Sequence, residues 1–192
     1  MQSTNHQSAQ TSVLKQLSTF MGSQICDLAC GTGEVTSIIS KFLDASFTLV
    51  DFSDAMILNA KQKLSHLPQT EFHQVDIHNV SCLGKQFDTF ICSFGFYWLD
   101  DPKMVLDQIR SCSLNAHLIL IEEHFFDSND HLPAFRSNEP GLNELAALET
   151  YLGIQSLIDM CVCSGYTLRF QTRHPIDRRH ELVGLVFRIE GN

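Results

Sequence analysis

A chain of 192 residues, 44% of them hydrophobic, can bury one substantial core and falls within the size range of a single domain. Its 22 acidic residues outnumber 13 basic ones, and the net charge of -9 repels a phosphate backbone and supplies no basic stripe, so a nucleic-acid partner is disfavoured. No apolar run approaches the ~20 residues of a membrane span, and the first residues lack the basic and apolar regions of a secretory signal, so a cytoplasmic protein is expected.

In chain order, a Gln/Ser/Thr-rich stretch of about a dozen residues comes first and is expected to be mobile or to act as a lid. Two periodicities then alternate. Ile25–Leu28, Phe47–Val50, Phe72–Val75, Phe87–Ser93 and Leu114–Glu122 are short apolar runs, the kind expected of strands covered on both faces. Between them lie helical stripes: Val35, Ile38, Ile39 and Phe42; then Met56, Ile57, Ala60 and Leu64; then Val105, Leu106 and Ile109. Ser53-Asp54 and Asp100-Asp101-Pro102 suit helix starts, because Asp and Ser accept from orphan amides and proline lacks one. Strand alternating with helix predicts a parallel sheet wrapped on both sides. Residues 124–145 read as an irregular insertion over the substrate side, followed by a helix over Leu142–Cys163 and an antiparallel pair, Tyr166–His174 and Leu182–Ile189. The 7 cysteines lie mostly in apolar runs without framework or zinc spacing, and are expected to be reduced, buried thiols.

The chemistry concentrates at Asp27-Leu-Ala-Cys-Gly31-Thr-Gly33-Glu34, where a strand meets a glycine turn and a helix. Such a turn lets backbone amides and the helix start face a nucleotide at the strand ends. Alone the pattern is shared by many nucleotide folds. Asp27 narrows it, because a carboxylate there suits a cationic, ammonium-bearing ligand and repels a pyrophosphate. Thr36 also stands where the dinucleotide pattern has its third glycine. Asp51 ends the next strand about 20 residues after the turn, a spacing at which a carboxylate accepts from ribose hydroxyls. Asp76 is expected to end the third strand, completing a row of three acids, although any one of them could simply cap a turn.

These residues, with Val50–Met56, Gln74–Ile77 and Phe87–Asp101, resemble the successive motifs of the class I S-adenosylmethionine-dependent methyltransferases across roughly residues 23–123. Within that superfamily the phrase Phe94–Asp101 is most similar to the small-molecule branch containing the ubiquinone/menaquinone-biosynthesis and malonyl-carrier-protein enzymes. The resemblance implies a Rossmann-like three-layer α/β sandwich with a mostly parallel seven-stranded sheet and an antiparallel last strand. It implies one domain over residues 1–192, with a lid at 1–22 and a substrate cap at 124–145. It also implies S-adenosylmethionine as cofactor, with Asp27, Ala29, Gly31 and Gly33 around the methionine moiety and Asp51 on the ribose. Phe52 and Met56 would flank the adenine, Asp76 and Ile77 would lie near its amino group, and Ser93 and Phe94 would line the methionine end. Ala29 stands where the family often has glycine. Fewer residues precede the first strand than is usual in the family, so part of the N-terminal lid is expected to be lacking.

Methyl transfer from a sulfonium needs chiefly positioning and exclusion of water, with a general base where the acceptor is a hydroxyl or acidic carbon. His124, after Glu122-Glu123, is the leading base candidate and Tyr97 the second. Trp98 reads as a core anchor. Phe94, Phe96, Tyr97, Phe125, Phe126 and Phe135 suit an apolar or aromatic small-molecule acceptor. His124, Asp127, Asp130 and His131 match no metal-loop spacing, and no metal is expected. A homodimer or an activating partner subunit fits as well. Competing readings are a cofactor-binding cyclase or decarboxylase on the same scaffold, a non-catalytic subunit, and a nicotinamide-dependent oxidoreductase, the last weakened by Asp27 and Thr36.

Overall fold

The computed structural model describes residues 2–125, 153–178 and 180–189. Seven strands form one sheet: β1 (Gln24–Leu28), β2 (Ser46–Asp51), β3 (Thr70–Gln74), β4 (Phe87–Ser93), β5 (Ser113–Phe125), β6 (Tyr166–Pro175) and β7 (His180–Ile189). Their order across the sheet is β3-β2-β1-β4-β5-β7-β6. Neighbours from β3 to β5 pair in parallel, and β7 runs antiparallel to both β5 and β6, as the sequence leads one to expect. The apolar runs are strands because both faces are covered. Ile25, Leu49, Ile91, Ile119 and Ile121 pack on one side of the sheet, and Cys26, Leu28, Cys92, Leu118 and Leu120 pack on the other.

Among the described residues, five α-helices supply the covering layers: α1 (Gln2–Leu17), α2 (Glu34–Ile39), α3 (Asp54–Leu64), α4 (Pro102–Ser111) and α5 (Ile154–Cys163). The first three share a core with one face through Leu14, Leu17, Ile38, Ile39, Ile57 and Leu64. The other two share a core with the opposite face through Val105, Leu106, Ile109, Leu157 and Cys161. The expected caps are in place, with Ser53 accepting from the Met56 N–H and Asp101 from the Met104 N–H. Among the described residues no helix is long and apolar enough to cross a membrane.

Several boundaries differ from the sequence reading. The Gln/Ser/Thr-rich start is helical, continuing into α1, which buries Ala9, Val13, Leu14 and Leu17. Its polar composition hides an i, i+4, i+8 stripe that tertiary packing stabilises. Gly184 of β7 admits this helix, since a Cβ there would lie 2.9 Å from Leu17 and 3.0 Å from Val13. Helix α2 stops at Ile39, which leaves Phe42 partly exposed beyond it. Strand β5 runs on to Phe125, so His124 and Phe125 are strand and not the start of an insertion; residues 126–152, which hold the rest of that expected cap and the head of the expected 142–163 helix, lie outside the described residues. Five cysteines are buried as expected, whereas Cys82 and Cys163 are exposed on the outer sides of their turn and helix.

Candidate active site

The turn between β1 and α2 is wound tightly, with Ala29, Gly31 and Gly33 all in the left-handed region at φ 52, 53 and 74. Its two glycines answer different demands. A Cβ on Gly33 would meet Leu64 at 2.8 Å, so glycine there lets α3 pack under the turn. A Cβ on Gly31 would meet nothing within 4 Å, so that face of the turn borders open space where a ligand can approach the backbone. Ala29 adopts a conformation that glycine would take without strain, at a cost of about 1–2 kcal/mol. Opposite it, Phe94 at the end of β4 is also left-handed, at φ 59, an outlier for a bulky residue of the kind that gathers at functional sites.

Two of the three expected acids lie against this turn. Asp51, buried at the end of β2, accepts from the Gly31 N–H and the Ser53 N–H at 2.9 Å each, one bond per oxygen, so each oxygen retains a lone pair for a further donor. Asp27 lies inside β1 and is only 2% exposed. The Thr36 hydroxyl donates to it at 2.6 Å. Burial pushes its carboxyl up to about 7, the Thr36 hydrogen bonds partly oppose that shift, and the neighbouring Asp51 charge adds to it. Thr36, noted in the sequence only as a missing glycine, thus holds the acid of the site.

Asp76 departs from the expected row. Strand β3 stops at Gln74, and Asp76 caps the following 3-10 turn, accepting from the His78 N–H at 2.9 Å and pairing with its ring Nδ1 at 2.7 Å. Ile77 behind it is buried. Phe52 and Met56 border the same end of the sheet. Phe52 is 76% exposed. At the β4 end, Ser93 Oγ is buried with no hydrogen bond among the described residues.

At the end of β5 the side chains alternate between the two faces. Glu122 is 1% exposed, and burial pushes its carboxyl well above the usual range, with the nearby Phe96 N–H partly opposing the shift. Glu123 pairs at 2.5 Å with His6 Nε2 of α1, whose ring lies 5.6 Å from that of Phe94. The next residue of α1, Gln7, donates to Glu34 at the start of α2. His124 directs Nδ1 to Glu181 of β7 at 3.1 Å, and Arg173 of β6 also binds that carboxylate. Tyr97 is half-buried in the 3-10 turn Phe96–Trp98, packed against the α4 side of the core. Trp98 is 59% exposed and not the expected anchor, because Phe96 takes the core position of that turn. His6 and Glu123 went unread because the sequence gives no sign that α1 crosses the end of β5. No group of three or more metal-binding side chains occurs among the described residues.

A glycine turn bordered by Asp27 and Asp51 lies at the carboxyl ends of the parallel strands of the β3-β2-β1-β4-β5-β7-β6 sheet. Residues 25–113 match the family model described as a methyltransferase domain. The chain is 33% identical over 91 residues to a malonyl-[acyl-carrier protein] O-methyltransferase of Halalkalibacterium halodurans, covering 45% of this chain and 34% of that one. It is 37% identical over 91 residues to a demethylmenaquinone methyltransferase of Chlamydia pneumoniae, covering 46% of this chain and 38% of that one. The matches thus span between a third and two fifths of these relatives' length. Among solved structures, magnesium protoporphyrin IX methyltransferase of Synechocystis with bound S-adenosylhomocysteine superposes with a TM-score of 0.64 at 18% identity, over 95% of this chain and 84% of that one. That likeness is one of fold.

Proposed function

We propose that this chain binds S-adenosylmethionine in the crevice between the β1 and β2 ends and transfers its methyl group to a small, neutral, apolar or aromatic acceptor. The observation that carries the reading is the pairing of buried Asp27 and Asp51 around a turn whose Gly31 faces open space. Ala29, Gly31, Gly33 and Asp27 take the methionine moiety, Asp51 accepts from the ribose, and the exposed Phe52 and Met56 close over the adenine. Asp76 and Ile77 border the adenine edge, while Ser93 and Phe94 line the methionine end. The methyltransferase names of the relatives support methyl transfer as the reaction.

The cofactor supplies an activated methyl carbon, so these residues mainly orient reactants and exclude water. Helix α1, within the stretch 1–22, acts as the lid of a single domain, tied down by His6–Glu123 and Gln7–Glu34. Tyr97 and Phe94 face the acceptor.

The test supplies S-adenosylmethionine labelled in its methyl group to the purified chain with a panel of quinols, phenols and fatty acyl compounds. Label in an organic-extractable product, abolished by Asp51→Ala, is expected. Cofactor binding without transfer to any member would favour the non-methylating or subunit readings.

A further inference from the structure

The lid brings a histidine to the acceptor side of the site. Helix α1 is fixed on the sheet by the burial of Ala9, Val13, Leu14 and Leu17 and by the Thr172 hydroxyl donating to Gln16 at 2.6 Å. Its first turns therefore cross the ends of β4 and β5 in a set position. There the His6 ring packs near the left-handed Phe94, and its Nε2 bonds Glu123 at 2.5 Å. A carboxylate accepts only, so in the neutral ring Nε2 carries the proton and Nδ1 keeps a lone pair. That Nδ1 makes no hydrogen bond among the described residues.

Charge adds to this geometry. Of the two adjacent acids, Glu122 is buried, with its carboxyl pushed well above the usual range, and Glu123 is the one that reaches the ring. An imidazolium formed at His6 would be neutralised by Glu123. A base oriented by a carboxylate is needed only for an acceptor that must lose a proton. His124 has the opposite arrangement, with its Nδ1 engaged by a Glu181 that Arg173 also holds.

We infer that His6, positioned by Glu123, is the general base of this site, and that the acceptor is a neutral aromatic hydroxyl compound seated against Phe94. The inference rests on the function proposed above and deepens it. In the reaction, the hydroxyl oxygen forms a bond to the methyl carbon as the carbon–sulfur bond breaks. The electron pair of that bond stays on sulfur as a thioether, and the hydroxyl proton passes to His6 Nδ1 and then to water. Glu123 orients the ring and stabilises its charged form.

The experiment uses 4-nitrophenol, whose phenolate absorbs visible light, titrated into the full chain saturated with S-adenosylhomocysteine at one pH unit below the probe's own pKa. No turnover is required. The bound probe should show a phenolate fraction at least about threefold above that of free probe, by stabilisation of the ion pair with His6. His6→Gln, which keeps a donor toward Glu123, should return the fraction to the free value, and Glu123→Gln should reduce it. Calorimetry on the same samples reports S-adenosylhomocysteine binding separately. Absence of the band, or of probe binding, in protein that binds S-adenosylhomocysteine overturns the inference and leaves the methyltransferase reading standing. Loss of the band in His124→Gln but not in His6→Gln also overturns it. Failure to bind S-adenosylhomocysteine at all removes the underlying reading, and the inference with it.

Discussion

The buried Asp27 should make cofactor affinity depend on pH in a calculable way. In the free protein its carboxyl titrates at about 7, against 3.8 for an unperturbed aspartate, mainly because burial penalises the charged form. An ammonium-bearing ligand needs the carboxylate, so binding below that pH must first expel a proton. Affinity for S-adenosylhomocysteine, which carries the ammonium without the sulfonium, should then be flat above about pH 7 and fall toward tenfold per pH unit below it, or about 1.4 kcal/mol per unit. Thr36→Val removes the hydroxyl that favours the charged form and should move the break upward by about 1–2 pH units, the equivalent of a hydrogen bond to a charged group. The same shift bears on folding. Because the folded pKa lies above the unfolded one, the ligand-free fold loses stability as pH rises from about 4 to 7 and holds steady above that. Asp27→Asn should remove this loss, a gain of at most about 4 kcal/mol above pH 7 and little at pH 4. The assay is calorimetric titration across that range in two buffers of different ionisation heat, which counts the protons released. Constant affinity with no proton release would refute the assignment of Asp27 to the ammonium.

Two further outcomes follow from packing. Gly33→Ala should destabilise the protein by about 1–3 kcal/mol in chemical denaturation, from a positive φ and the contact with Leu64, whereas Gly31→Ala should cost about 1–2 kcal/mol of stability yet weaken cofactor binding at least tenfold, because its Cβ enters the open side of the turn; equal effects of the two on binding would contradict the division of roles. Glu122→Gln should leave thermal stability at neutral pH unchanged or raised, since burial disfavours the charged form of the native side chain, while Glu122→Ala should cost about 2–4 kcal/mol by opening a cavity; a large loss with glutamine would contradict this.

The sheet was legible because β1, β2, β4 and β5 are covered on both faces and therefore read as unbroken apolar runs, with helical stripes between them. Asp27, Gly31, Gly33 and Asp51 were legible because one chain segment fixes their spacing, and the structure brings all four together. What escaped depends on contacts between distant segments. Nothing local marks α1 as a packed helix, because its buried stripe is diluted by Gln, Ser and Thr, and so His6 could not be placed beside Glu123. Trp98 misled for a related reason, since a 3-10 turn rather than an α-helix follows β4 and turns Phe96 inward in its place. Asp76 misled because β3 ends two residues early and the acid caps the next turn.

The cofactor site is tested most directly by equilibrium binding of S-adenosylmethionine, S-adenosylhomocysteine and NAD to the wild type and to Asp51→Ala. Micromolar binding of both sulfur nucleosides, no binding of NAD, and a loss of about 1.5–3 kcal/mol for Asp51→Ala are predicted. Binding of NAD in preference to the sulfur nucleosides, or affinity untouched by Asp51→Ala, would contradict it.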